Sequence, residues 1–281
     1  MEDNLGLAKE VRLWVAQNPG RRFAAHTLDT ELGVYTARAK NNRWKILTRL
    51  QDEGLIEPYG GSYRVIYNSS TEIDYLNASE DDILDFKWTF GIQNYALLMP
   101  KNIAIVFGAK DAGKTALLLD TTRRNQDKHI IHFWSSEMGA LELKRRLQRF
   151  DDNGIIPLNE WKFKPMERSF DFQDVVALYP DDIHIIDFLE IHTDFAEVGK
   201  PIFEIWNKLR KGVAIIALQK NPGASLPRGG TGALEKARIA ISLDKGEASI
   251  VVGKNWAKED VNPVGQKWNF KLVGGCKFIM M

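Results

Sequence analysis

The chain has 281 residues, 44% of them hydrophobic, and a formal net charge of +1, enough for a buried core and suggestive of one large domain or two unequal ones. So small a net charge supplies no global basic field, and any nucleic-acid contact must come from local clusters. Cys276 is the only cysteine, which excludes a disulfide framework or cysteine zinc cluster and suits a reducing cytosol; with no basic start at Met1-Glu2-Asp3-Asn4 and no apolar run near the ~20 residues that span a bilayer, the expectation is a soluble cytoplasmic protein with no membrane partner.

Leu7, Val11, Leu13, Trp14 and Val15 recur at helical spacing between Leu5 and Ala16, and Asn18-Pro19-Gly20 stops the pattern. A second short helix is predicted over Ala25–Leu32 and a third over Thr36–Glu53, where Ile46, Leu47 and Leu50 share a face. Two short runs, Leu55–Tyr59 and Ser62–Ile66, flank Gly60-Gly61 as a β-hairpin would. Three helices and a hairpin in this order resemble a winged helix, which places a DNA-binding domain at residues 1–68. Residues 69–85 are polar and acidic (Ser69, Ser70, Glu72, Asp74, Ser79–Asp82) and read as a linker.

From residue 86 to residue 281 the pattern becomes strands alternating with helices. Strands are predicted at Ile103–Phe107, Ile130–Trp134, Ile183–Phe188 and Val213–Leu218, with helices from Gly113, over Met138–Phe150 and near Pro201–Lys211. This is an α/β domain with a mainly parallel sheet covered on both faces. The runs Ile239–Leu243, Ser249–Val252, Trp268–Val273 and Lys277–Met280 lack intervening long helices and are expected to add antiparallel edge strands.

One segment carries most of the chemistry. Gly108-Ala109-Lys110-Asp111-Ala112-Gly113-Lys114-Thr115 follows a predicted buried strand and opens a predicted helix. A G-x-x-x-x-G-K-T loop turns successive N–H groups into one concavity, glycine allows phosphate to approach, and the helix N-terminus adds its dipole. Lys114 is then expected on the β- and γ-phosphates of ATP, and Thr115 on Mg²⁺. Asp187 ends the apolar run Ile183–Ile186 and is the expected Walker B carboxylate, the alternative being a helix cap.

Hydrolysis also needs a carboxylate on the attacking water. The position after Asp187 is Phe188, so the candidate is Glu137, at the end of Ile131–Ser136. Here the sequence resembles the RecA/DnaB-like ATPases, whose corresponding strand ends in Ser-x-Glu-Met and leads into a helix carrying arginine. Ile186-Asp187-Phe188-Leu189-Glu190-Ile191 is similar to the replicative-helicase Walker B segment, and Ile215-Ile216-Ala217-Leu218-Gln219 to the strand that ends in the γ-phosphate-sensing glutamine. The resemblance runs from about Asn102 to the C-terminus. It implies a RecA-like P-loop core, Glu137 as water-activating base, Gln219 as sensor, and head-to-tail assembly into a ring or filament. Glu137 as a helix cap and Gln219 as a mere strand end are the alternatives, with Glu190 a reserve base. Such relatives complete the site from a neighbouring subunit, often with Lys-x-Arg; here the phrase is Lys254-Asn255-Trp256, so Lys254 fits, with Lys258 as a substitute, and Trp256 stands where arginine is expected.

Two basic regions suggest DNA. After Gln219 the Gly- and Pro-rich stretch to Gly232 reads as a flexible loop in which Lys220 and Arg228, with Lys236 beyond it, would hold single-stranded DNA by its phosphates. On the third predicted helix Arg38, Lys40, Asn41, Asn42, Arg43, Lys45 and Arg49 precede the first acid, Asp52, and Arg64 lies on the hairpin, which suits duplex or forked DNA. Solvated faces, or a protein-docking role for the winged helix, are the alternatives. The leading expectation is a DNA-associated ATPase of replication or recombination, a motor, recombinase or loader. The rival is a nucleotide-gated DNA-binding regulator with little turnover.

Overall fold

A computed structural model of the chain describes residues 2–67, 72–190 and 195–281, with side chains at 6–67, 72–190 and 197–281. The chain divides into two compact units, Met1–Leu76 and Asn77–Met281. Residue 68 of the predicted first domain, residues 69–71 of the predicted linker, and Ile191 of the predicted Walker B phrase lie outside the described residues. Among the described residues no helix is long and apolar enough to cross a membrane.

The first unit runs α1 (Glu2–Gln17), β1 (Arg22–Phe23), α2 (Ala25–Glu31), α3 (Ala37–Asp52), β2 (Ile56–Tyr59) and β3 (Ser62–Val65). The helices and hairpin fall where the periodicity places them. The strand β1 was not expected; it pairs antiparallel with β3 and makes a sheet in the order β1-β3-β2. Two residues are too few to show an alternating pattern. Ile46, Leu47 and Leu50 of α3 are buried against Val11, Trp14, Phe23 and Leu28, each contributing about 1.5–3 kcal/mol relative to exposure. The Thr36 hydroxyl caps α3 by accepting from the Ala39 N–H at 3.2 Å.

In the second unit the order is β4 (Ile103–Gly108), α4 (Lys114–Asn125), β5 (Ile131–Ser135), α5 (Ala140–Asp152), β6 (Lys164–Glu167), α6 (Phe172–Leu178), β7 (Ile183–Asp187), α7 (Gly199–Lys208), β8 (Val213–Gln219), β9 (Ala237–Asp244), β10 (Glu247–Gly253), β11 (Lys267–Val273) and β12 (Lys277–Met280). Among the described residues these strands form one nine-stranded sheet, β12-β11-β10-β9-β4-β8-β7-β5-β6. Six strands, β6 through β9 in that order, are parallel and the last three antiparallel. The unit is therefore α/β, with a mostly parallel sheet and antiparallel edge strands.

Every residue of β4 is buried: Ala104 and Val106 face one apolar cluster, and Ile103, Ile105 and Phe107 the other. A central strand covered on both faces reads as an unbroken apolar run, which is why this sequence shows no alternation there.

Three expectations need correction. Residues 239–243 do not start the antiparallel edge, because β9 is parallel to β4, with Ile105 opposite Ala240. The segment 220–236 carries the chain from the end of β8 back to the start of β4, so β9 returns in the same direction. The edge strand β6 and the helix α6 were not expected, since all four residues of β6 are exposed and α6 is only seven residues long. Finally, residues 77–85 belong to the second unit: the Leu84 N–H donates to Leu98 O at 3.0 Å, and Asp85 pairs with Lys87 and Lys128. Hydrogen bonds from Lys128 and Lys87 lower the Asp85 pKa to about 2.

Candidate functional site

Parallel strands end together, so the loops after β4, β5, β7 and β8 gather at one edge of the sheet, where open α/β sheets bind their ligands. Register makes this specific. Gly108 lies opposite Gln219 on one side and Leu243 on the other, and Ser135 lies opposite Asp187. Lys114, Thr115, Glu137, Asp187 and Gln219 line one cavity of about 550 Å³. Five side chains, from the start of α4, the turn after β5 and the ends of β7 and β8, thus meet in one place.

The glycines of the loop are needed for close approach. A Cβ on Gly108 would stand 2.4 Å from the carbonyl oxygen of Leu243, and Gly113, the N-cap of α4, has φ +98 with Leu272 Cδ2 3.0 Å from the place of a Cβ. Lys114 Nζ donates to Gly108 O and Ala109 O, both at 3.0 Å. Burial holds its ammonium below the ordinary lysine range, opposed by the charges of Asp187, Glu137 and Asp111. Lys110, Asp111, Gly113, Lys114 and Thr115 line the cavity, while Ala112 is buried beneath them and Gly108 and Ala109 supply the two carbonyls.

Asp187 is buried, and burial raises its pKa to about 6 against the opposing effect of a hydrogen bond from the Thr115 hydroxyl and the charges of Arg146 and Lys114. It caps no helix, since the three residues after it, 188–190, are in none. Two oxygen donors held together, one on a carboxylate that burial penalises when charged, fit a hard divalent cation. Among the described residues no group of three His, Cys, Asp or Glu side chains could hold a metal. A magnesium ion that draws its other ligands from phosphates and water needs none.

Glu137 sits in a turn fixed from both sides. Ser135 Oγ accepts from the Met138 N–H at 2.9 Å, Ser136 donates its N–H to Asp187 O at 3.0 Å, and Ser136 Oγ accepts from the Phe188 N–H at 3.2 Å. These bonds tie the loop after β5 to the loop after β7. The N-cap of α5 is Gly139, with no side-chain cap, so Glu137 is not a helix cap. Glu190 does not line the cavity.

Some lining residues were not assigned to the site from the sequence. Arg146 and Arg149 reach the cavity from α5, and Leu272 and Gly275 from the β11–β12 hairpin. The hairpin is fastened to α5, with Cys276 Sγ donating to Arg149 O at 3.2 Å. The i,i+3 spacing of the arginines was visible, but not the direction in which that face points. Lys254 is not brought to the cavity of its own chain. It follows Gly253, which lies opposite Ile239 near the start of β9, at the other end of the sheet.

The expected DNA contacts divide. Lys220 is a correction: its side chain is 2% exposed, with Nζ donating to Ser242 Oγ at 3.0 Å and Asp244 Oδ2 at 2.6 Å. Lys236 also leaves the loop cluster, placing its ammonium 3.8 Å from the Trp206 ring at the start of β9. Arg228 is exposed, with Nε donating to Asn221 Oδ1 at 3.2 Å. In the first unit Arg43 is held by Asp29 through two bonds of 2.9 Å, and Arg64 pairs with Glu57 across the hairpin. Arg43 is thus held in a largely buried ion pair, whereas the Arg64 pair lies at the surface. Arg38, Lys40, Asn41 and Lys45 are exposed, and Asn42 is half-buried. Trp44, 56% exposed between them, was overlooked in the sequence because a tryptophan inside an amphipathic helix reads as core.

No model of a known protein family matches the chain, and a comparison with curated proteins finds no match.

Proposed function

We propose that the second unit is a RecA/DnaB-like P-loop ATPase and the first a winged-helix DNA-binding domain, and that the protein acts on DNA in replication or recombination. The observation that carries this reading is the cavity where Lys114, Thr115, Glu137, Asp187 and Gln219 converge. In it the loop N–H groups and Lys114 hold the ATP phosphates, Glu137 orients and deprotonates the attacking water, and Gln219 senses the γ-phosphate at the end of β8. Thr115 and Asp187 hold Mg²⁺, which supplies neutralisation of the phosphate charge when bound. The core takes single-stranded DNA through the loop that bears Arg228, and the first unit takes duplex or forked DNA. Assembly is head-to-tail in a ring or filament, with Lys254 reaching the site of a neighbouring copy.

The regulator alternative rested on the basic helix of the first unit together with Trp256 in place of arginine. Arg146 and Arg149 of the same chain line the cavity and supply the positive charge that phosphoryl transfer requires, which favours turnover. Equilibrium binding of ATP with Mg²⁺ tests the site: Lys114→Ala is expected to lose binding, and undiminished affinity contradicts the reading.

A further inference from the structure

The exposed face of α3 is both cationic and aromatic. Ala37, Asn41, Trp44 and Thr48 follow one another at helical spacing on the side away from Ile46, Leu47 and Leu50. Lys40 stands one turn before Trp44, Lys45 beside it, and Arg38 nearer the helix start. Tyr35, just ahead of the helix, is 75% exposed. No acid occurs between Glu31 and Asp52. The nearest preceding acids are already engaged, Asp29 by Arg43 and Glu31 by Arg21 and Trp14. Among the described residues Arg38, Lys40 and Lys45 have no carboxylate partner.

A cationic face attracts phosphates, but phosphates alone do not explain an indole in its centre. An aromatic ring gains most from a base whose flat face is free, and inside a duplex those faces are covered by neighbouring base pairs. The hairpin is poorly suited to flank a duplex: its turn is only Gly60-Gly61, and Arg64, the one cation in 56–65, pairs with Glu57. We propose that this face of α3 binds single-stranded DNA, with the Trp44 indole stacked on an unpaired base and Lys40, Lys45 and Arg38 on the flanking phosphates. This rests on the reading of the first unit as DNA-binding, and it narrows duplex or forked DNA to the unpaired strand.

The test uses the full chain, a fluorescein-labelled oligothymidylate and a blunt duplex of equal length. Trp44→Ala is expected to weaken oligothymidylate binding about tenfold and leave duplex binding unchanged, while Trp44→Phe retains most of the affinity. Irradiating the complex with a strand carrying 5-iodouracil is expected to crosslink the peptide that contains Trp44, a result that separates this surface from any contact on the ATPase core. The double variant Lys40→Glu, Lys45→Glu weakens both probes. If Trp44→Ala weakens the duplex equally or more, or the crosslink maps only elsewhere, the stacking role is overturned. If Trp44→Ala changes neither probe while the lysine variant weakens both, stacking fails and the DNA reading stands. If neither variant changes either probe, the DNA reading of the unit fails as well.

Discussion

Asp187 is where burial and chemistry oppose each other most directly. Its pKa rises from 3.8 to about 6 because burial disfavours the carboxylate. A raised acid stabilises the fold below the unfolded value, and that stability is lost as pH climbs through the folded one. Taking about 1.4 kcal/mol per unit, Asp187→Asn should exceed the wild type in stability by about 2–3 kcal/mol at pH 7.5 and match it near pH 3.5. Urea melts at the two pH values measure the difference, and equal curves at both contradict it. Arg43 offers a second test. The Arg43–Asp29 side chains are each 12% exposed, so Arg43→Ala strands a buried carboxylate and should cost about 2–3 kcal/mol in the same melts. A contact made only to DNA would leave stability unchanged. Lys220 and Arg43 read as DNA contacts in sequence because a cation in a basic or Gly-rich stretch looks exposed. Their burial depends on Asp244 and Asp29, and no local pattern reveals those partners.

At the scale of elements, runs of mostly apolar residues located β4, β5, β7 and β8 within a residue or two, because strands covered on both faces are buried along their length, with His132 and His184 the buried exceptions inside β5 and β7. Strand direction was less legible. An apolar run such as 239–243 looks the same parallel or antiparallel, and only the path of 220–236 decides between them. The edge strand β6, Lys164-Pro165-Met166-Glu167, has no buried residue to mark it. Residues at or just past the ends of parallel strands were readable as neighbours, and Glu137, Asp187 and Gln219 do line one cavity. Arg146, Leu272 and Gly275 enter through a helix face and a folded-over hairpin, relations that exist only in three dimensions. Strand β9 makes the start of the glycine loop intolerant of side chains. Gly108→Ala places a methyl 2.4 Å from a backbone oxygen of β9, so β4 and β9 must separate. Thermal unfolding should register a loss of about 3 kcal/mol or more, and a wild-type melt would show that the two strands are not so closely joined.

For the whole molecule, the proposed labour falls on two units: a sheet edge where Lys114, Thr115, Glu137, Asp187 and Gln219 meet, and a small unit with a cationic helix face. The unit boundary itself blurred in sequence, since residues 77–85 are acidic like a linker yet are fastened to the core through Leu98 and Lys128. If the site is completed in part by a neighbouring copy, specific ATP turnover should rise with protein concentration and Lys254→Ala should lower it, whereas a turnover independent of both would assign the cationic role to Arg146 and Arg149 alone. The most direct measurement is steady-state ATP hydrolysis with and without single-stranded DNA, for the wild type beside Glu137→Gln. DNA-stimulated turnover in the wild type, with Glu137→Gln binding ATP normally but hydrolysing it about 10²–10⁴-fold more slowly, is the expected result. Wild-type turnover in Glu137→Gln, or no turnover in the wild type under either condition, would contradict it.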